Sequence, residues 1–177
     1  MSANRAALAA DQGDFADRLA EHRGILFKIA HTYAFDSAER EDLIQEICLQ
    51  LWRSYPSYDR ERRFSTWMYR VALNTAISRS RHARRRPHEV PFDETLEVKA
   101  EIPAEPDERI EWLYRFVRTL PPLDRALMLL YLDDRSYREI AEVLGVTETN
   151  VGTKINRLKQ LMRRDLAAVK EIPRGAR

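Results

Sequence analysis

The residues of this chain with the plainest chemical purpose lie in SYREIAEVLGVTETNVGTKINRLKQLMRR, residues 136–164. Ser136 and Glu139 form an S-x-x-E capping box, which starts a helix at Tyr137. Ile140, Val143 and Leu144 supply its apolar face, and Ala141 is small where a second helix must approach closely. Gly145 can take the left-handed conformation that ends a helix without a Cβ penalty. Val146 plugs the turn and Thr147 caps the following helix. In that helix Val151, Ile155, Leu158 and Met162 fall on one buried stripe. Glu148, Thr149, Asn150, Gly152, Thr153, Lys154, Asn156 and Arg157 remain for the exposed side. Spacing and turn chemistry together describe a helix-turn-helix. Its outer side has what a major-groove reader needs: Asn and Thr for base edges, Lys and Arg for bases or phosphates. An ordinary helical hairpin is the plainer alternative.

A second stretch, YDRERRFSTWMYRVALNTAISRSRHARRR (58–86), mixes aromatic rings with arginines. Unpaired bases stack on aromatic side chains while Arg follows the phosphates. Phe64, Trp67 and Tyr69 can act so beside Arg62, Arg63 and Arg70. Periodicity also allows Phe64 and Trp67 a place in a core, with Val71 on the face of Trp67 and with Tyr69 and Arg70 pointing elsewhere. The arginine run reads equally well as a solvated helix end.

Covalent catalysis finds no support. There is no P-loop, no G-x-S-x-G and no convincing catalytic constellation. The single cysteine, Cys48, cannot form an internal disulfide, which fits a reducing cytosol. The four histidines (His22, His31, His82, His88) make no metal-ligand spacing with it. No apolar run approaches the roughly 20 residues of a membrane span, and the apolar N-terminal stretch is too short for a secretory signal. The expectation is therefore a non-enzymatic cytoplasmic protein with neither metal nor cofactor.

The elements that must position these residues are helical. The 177 residues include only 5 Gly and 8 Pro, and no alternating strand pattern is present. The net charge of +2 conceals strong segregation. Residues 1–52 carry 5 basic and 9 acidic groups, 53–86 carry 10 and 2, 87–108 carry 1 and 8, 109–135 carry 5 and 4, and 136–177 carry 9 and 5. Such blocks suggest separate surfaces for separate partners. The acidic block also holds Pro87, Pro91, Pro103 and Pro106, so it reads as an extended linker. The fold class is all-α: a helical module over 14–86, a linker over 87–106, and a second module with the helix-turn-helix over 107–170.

Within the first module, Phe15 and Leu19, then Ile25, Leu26, Ile29, Ala30 and Tyr33, suggest two short helices or one broken one. Leu43, Ile44, Ile47, Cys48, Leu51 and Trp52 share a helical face, with Glu39, Glu41, Asp42, Gln45, Glu46 and Gln50 largely turned away. Tyr55-Pro56 ends that helix, and Ser65 or Thr66 is positioned to cap the next, where Trp67, Met68, Val71, Ala72 and Ile77 offer apolar contacts. In the second module Asp107 is a candidate cap, Ile110, Leu113, Val117 and Leu120 form a stripe, and Pro121-Pro122 separates that helix from Leu123–Leu132.

Taken together, these stretches resemble the bacterial extracytoplasmic-function (ECF) sigma factors, the minimal two-domain members of the main sigma family. REDLIQEICLQLW is similar to the family's core-polymerase-binding helix, and FSTWMYRVALNTAISRSR to its promoter-melting and minus-ten-reading helix. LPPLDRALMLLYLDDRSYREIAEVLGVTETNVGTKINRLKQLMRR is similar to its minus-thirty-five-reading domain. The resemblance implies that Asp42, Gln45 and Glu46 dock on the β′ subunit of core RNA polymerase. It puts Trp67, Tyr69 and Arg70 near the junction where the duplex opens, and Asn74, Thr75, Ser78 and Arg79 where a minus-ten base is captured. It aligns Thr149, Asn150, Thr153, Lys154 and Arg157 with the major-groove face. Gly152 departs from the pattern, since relatives often carry Lys or Arg there. The linker resembles the segment that members thread into the polymerase's nucleic-acid channels, past the β and β′ subunits. Promoter DNA, core polymerase and an anti-sigma factor are the partners implied. A standalone helix-turn-helix regulator and a protein-interaction adaptor are the alternatives to this reading.

Overall fold

The computed structural model describes residues 13–85 and 108–171, and these belong to two separate units of the chain. Among the described residues every regular element is helical.

The first unit holds α1 (13–21), α2 (Arg23–Tyr33), α3 (Ser37–Ser54), a 3-10 turn (Tyr55–Ser57) and α4 (Phe64–Arg85). The early apolar pattern is thus two helices, parted at His22, whose backbone leaves helical geometry (φ −105°, ψ 13°). α3 starts where Asp36 accepts the Glu39 N–H at 2.7 Å while the Glu39 carboxylate accepts the Phe35 N–H at 3.0 Å, satisfying two donors the helix end leaves open. α2, α3 and α4 pack against one another, and Ile29, Leu43, Ile47, Leu51, Met68, Tyr69, Ala72 and Leu73 are buried between them. α1 is fastened by its first turn. Phe15 meets Trp52 and Tyr55 edge-to-face, and the Asp14 carboxylate accepts from Tyr55 Oη at 2.5 Å and from Arg18 Nε at 2.9 Å.

The second unit holds α5 (Glu108–Thr119), α6 (Pro122–Leu132), α7 (Tyr137–Leu144) and α8 (Glu148–Glu171). Pro122 occupies the first turn of α6, where its missing N–H costs nothing. Arg125, only 3 % exposed, donates Nη2 to the Arg118 and Leu120 carbonyls and so closes the end of α5. α7 begins with the full capping box: Ser136 Oγ accepts the Glu139 N–H, and the Glu139 carboxylate accepts the Ser136 N–H. Gly145 ends it in the left-handed region, with φ 67° and ψ 37°. Thr147 Oγ1 then accepts the Asn150 N–H at 3.2 Å to begin α8. Val151, Ile155 and Leu158 are buried as the spacing requires, while Met162 is half-buried.

Three local expectations are corrected. α4 begins at Phe64, so Ser65 and Thr66 lie inside it, and the Thr66 N–H is taken by the Arg63 carbonyl at 3.1 Å. Ile110 is 51 % exposed, because the buried side of α5 runs through Phe116, Val117 and Leu120 instead. The buried stripe of α4 is Phe64, Met68, Tyr69, Ala72, Leu73, Ala76 and Ile77, one step round from the expected face, leaving Trp67 and Val71 half-buried at its margin. The linker 87–106 and Asp107 lie outside the described residues.

Candidate nucleic-acid interface

α3 turns Leu43, Ile47 and Leu51 to the core, which obliges the opposite side to face out. Asp42 and Gln45 are exposed there and Glu46 is half-exposed. The same side carries Leu49 and Trp52, 46 % and 37 % exposed. Positions 42, 45, 49 and 52 are spaced three, four and three apart, so acidic, amide and apolar groups form one continuous stripe. Such a surface offers hydrogen-bond acceptors beside exposed apolar area. The sequence reading placed Trp52 with the core face and omitted Leu49. The phase of Leu49, two residues past Ile47 and two before Leu51, is the signal that it faces outward.

On α4 the side away from the core shows Arg70, Asn74, Ser78 and Arg81, all exposed and all on one stripe with Trp67. Trp67 closes one end of it. Its ring lies 5.0 Å from Tyr58 and 5.3 Å from Phe64, packing that fixes the indole at the edge of the aromatic cluster. Tyr69 is different: it is fully buried, so its placement among surface residues is corrected. It falls between Met68 and Ala72 on the core stripe and has no face to offer a base. The Thr75 hydroxyl donates to the Val71 carbonyl at 2.9 Å, a back-bond within its own helix. Arg79 leaves the stripe for α3, with Nη1 3.3 Å from the Glu46 carboxylate and Nη2 3.9 Å from that of Asp42. Two of the sequence-selected sets therefore meet at one arginine.

In the second unit α8 presents Thr149, Asn150, Thr153, Asn156 and Arg157 outward, opposite its buried stripe. Thr153 Oγ1 donates back to the Thr149 carbonyl at 3.0 Å. Lys154 does not join this face. Its Nζ sits 2.9 Å from the Asp124 carboxylate of α6, so the side chain links α8 to α6. Gly152 lies on the other flank, where a Cβ would meet the Tyr137 ring of α7 at 3.5 Å. Further along α8, Lys159 Nζ stands 4.4 Å from the centre of the Tyr131 ring, and hydrogen bonding to Tyr131 holds its ammonium above the usual lysine range. Asn156, left out of the sequence-selected set, is as exposed as its neighbours on this face.

Among the described residues no cluster of three or more His, Cys, Asp or Glu is placed to hold a metal, and desolvation pushes the lone Cys48 thiol upward, away from a reactive thiolate. No helix among them is long and apolar enough to cross a membrane.

The two units match known protein families in chain order. Residues 19–86 match the family Sigma-70 region 2 and residues 110–162 match Sigma-70, region 4. The ECF RNA polymerase sigma factor SigW of Bacillus subtilis is 29 % identical over 171 residues, covering 88 % of this chain and 90 % of the relative. SigG of Mycobacterium tuberculosis is 28 % identical over 178 residues, covering 84 % of this chain but 47 % of the longer relative. Among solved structures, RpoE in complex with the anti-sigma factor NepR from Bartonella quintana aligns with a TM-score of 0.70 at 18 % identity, covering 91 % of this chain and 99 % of the other. CnrH in complex with the cytosolic domain of CnrY aligns at 0.63 and 20 % identity, covering 92 % and 90 %. With region 2 and region 4 present in order on one chain, and relatives of the same kind along most of its length, this chain belongs to the ECF RNA polymerase sigma factors.

Proposed function

We propose that this promoter-specific sigma factor docks on core RNA polymerase through the outer side of α3, opens the minus-ten element with α4, and reads the minus-thirty-five duplex with α8. One observation carries the reading. A single three-helix bundle exposes an acidic and apolar stripe on α3 and, separately, a stripe of Trp67, Arg70, Asn74, Ser78 and Arg81 on α4. One unit can thus hold a protein and a nucleic acid at once. A standalone helix-turn-helix regulator has no use for the second stripe.

The chemistry needs no hydrolysis. Unstacking a base costs about a few kcal/mol, which capture of the extruded base and contacts to its phosphates can offset. Asn74 offers both donor and acceptor groups to a base edge, with Arg70 and Arg81 beside it for the backbone. Trp67, at the stripe's end, supplies a flat face for the last stacked pair. On α8, Thr149, Asn150, Thr153 and Arg157 face the major groove, and Lys154 sets the helix's seating through Asp124. The boundaries 14–86, 87–106 and 107–170 mark the two functional domains and the linker that lets each find its element, with action in the cytoplasm where the polymerase works. An anti-sigma factor is the proposed regulator, by analogy with the partners named for the two similar structures.

The test is run-off transcription with purified core polymerase and a library of promoters. Promoter-dependent transcripts are expected only when this chain is added. Absence of both such transcripts and polymerase binding overturns the reading.

A further inference from the structure

We propose that Asn156 reads an adenine in the major groove, and that Gly152 opens the space in which it does so. This deepens the minus-thirty-five role given to α8 above and rests on it.

Three placements converge. Asn156 is exposed on the side of α8 opposite Val151, Ile155 and Leu158. Gly152 precedes it by one turn on the same flank, and helical side chains lean toward the N-terminus, so Asn156 covers the turn that Gly152 begins. A Cβ at Gly152 would stand 3.5 Å from Cε2 and 3.8 Å from Cδ2 of Tyr137, a residue 36 % exposed as a whole. Gly152 thus leaves bare α8 backbone beside an aromatic ring, one turn before an exposed carboxamide. A long side chain at 152 would lie next to that carboxamide on the same helix flank.

The chemistry of these groups favours an A·T pair. A carboxamide makes two hydrogen bonds to adenine, donating to N7 and accepting from the N6 amino group. The Tyr137 ring gives the 5-methyl of the paired thymine an apolar surface. Neighbouring candidates lack one or the other feature. The Lys154 ammonium is held by Asp124, and Asn150 lies on the opposite flank of α8, at its capped end. Gly152 also has a cost. A mid-helix glycine weakens a helix relative to alanine, and no left-handed backbone angle requires one at this position.

The experiment uses holoenzyme assembled from core polymerase and the full chain, transcribing promoters randomised through the minus-thirty-five element, with transcripts counted by sequence. The wild type is expected to favour A·T at one position. Asn156→Ala should reduce that preference about 5- to 100-fold there and leave the other positions alone, the range a lost bidentate contact implies. Gly152→Lys should also erase it, while Gly152→Ala, whose Cβ makes only ordinary contact with Tyr137, should keep it. A profile for Asn156→Ala that matches wild type, or a loss spread evenly over all positions, overturns the inference while leaving the sigma reading standing. No promoter-dependent transcript from the wild type defeats that reading, and the inference with it.

Discussion

The Arg79 guanidinium of α4 lies 3.3 Å from the Glu46 carboxylate of α3, so a residue expected at DNA is engaged by one expected at polymerase. Asp42 stands 3.9 Å from the same guanidinium. Both carboxylates are substantially exposed, so each pair contributes about 0–1 kcal/mol and can be exchanged for an intermolecular one. Arg79 is accordingly a neighbour that a docking partner must share or displace.

This fixes a first prediction. Asp42→Arg combined with Glu46→Arg should weaken binding to core polymerase by about ten-fold or more, because like charges then face each other across the interface. Folding, followed by circular dichroism, should change by no more than about 1 kcal/mol. Arg79→Ala should leave core affinity undiminished, since it removes only the internal competitor. Affinity of the double variant equal to wild type, measured by competition with a labelled sigma factor, would refute the docking face.

A second prediction separates the two aromatic residues of α4. Tyr69→Ala should destabilise the first unit by about 3–5 kcal/mol, because it empties a fully buried site. Arg70→Ala and Asn74→Ala, at exposed sites, should stay within about 0.5 kcal/mol of wild type in urea unfolding. The same two variants should reduce the permanganate reactivity of promoter thymines in the open complex. Full reactivity in both would remove the stripe from the melting step.

The two glycines of the helix-turn-helix should respond in opposite directions to alanine. At Gly145, with φ 67°, a Cβ is strained and the cost is about 1–2 kcal/mol. At Gly152 the backbone is helical and the new Cβ makes ordinary contact with Tyr137, so the gain is up to about 1 kcal/mol. Urea midpoints for the second unit, read by circular dichroism, check both signs. A stabilising Gly145→Ala would contradict the left-handed cap.

Acid should weaken the fastening of α1 to its bundle. The Tyr55 hydroxyl, and after it Arg18, hydrogen-bond Asp14 and hold its carboxyl below the ordinary aspartate value. A depressed folded-state pKa adds stability that is complete above the unfolded value near 4 and is lost as pH falls through the folded one. Asp14→Asn should therefore lower the thermal midpoint at pH 7, and the gap to wild type should close below about pH 4. A gap that persists unchanged into acid would show that the carboxylate's charge is not what fastens the helix.

Much of the fold was legible because local signals agree with one another. Ser136, Glu139, Gly145 and Thr147 each act within a few residues of themselves, and all four take the roles their types suggest. The stripe of Val151, Ile155 and Leu158 follows from helical period alone. On α4 the same reasoning erred by one step, since aromatic residues at 64, 67 and 69 suit either core or surface, and periodicity cannot weigh them. Packing against α2 and α3 settles it by burying Phe64 and Tyr69 and leaving Trp67 at the margin.

The sequence by itself determined the helical class, the helix-turn-helix with its caps, and the segregation of charge behind a net +2. It could do so because capping, periodicity and charge are properties of neighbouring residues. Only the tertiary structure decided which selected side chains remain available. Lys154 is taken by Asp124, 30 residues away, Arg79 by Glu46, 33 away, and Gly152 is met by the ring of Tyr137. Each of these pairings joins residues on different helices, and a long charged or aromatic side chain finds its partner only once packing has brought those helices together.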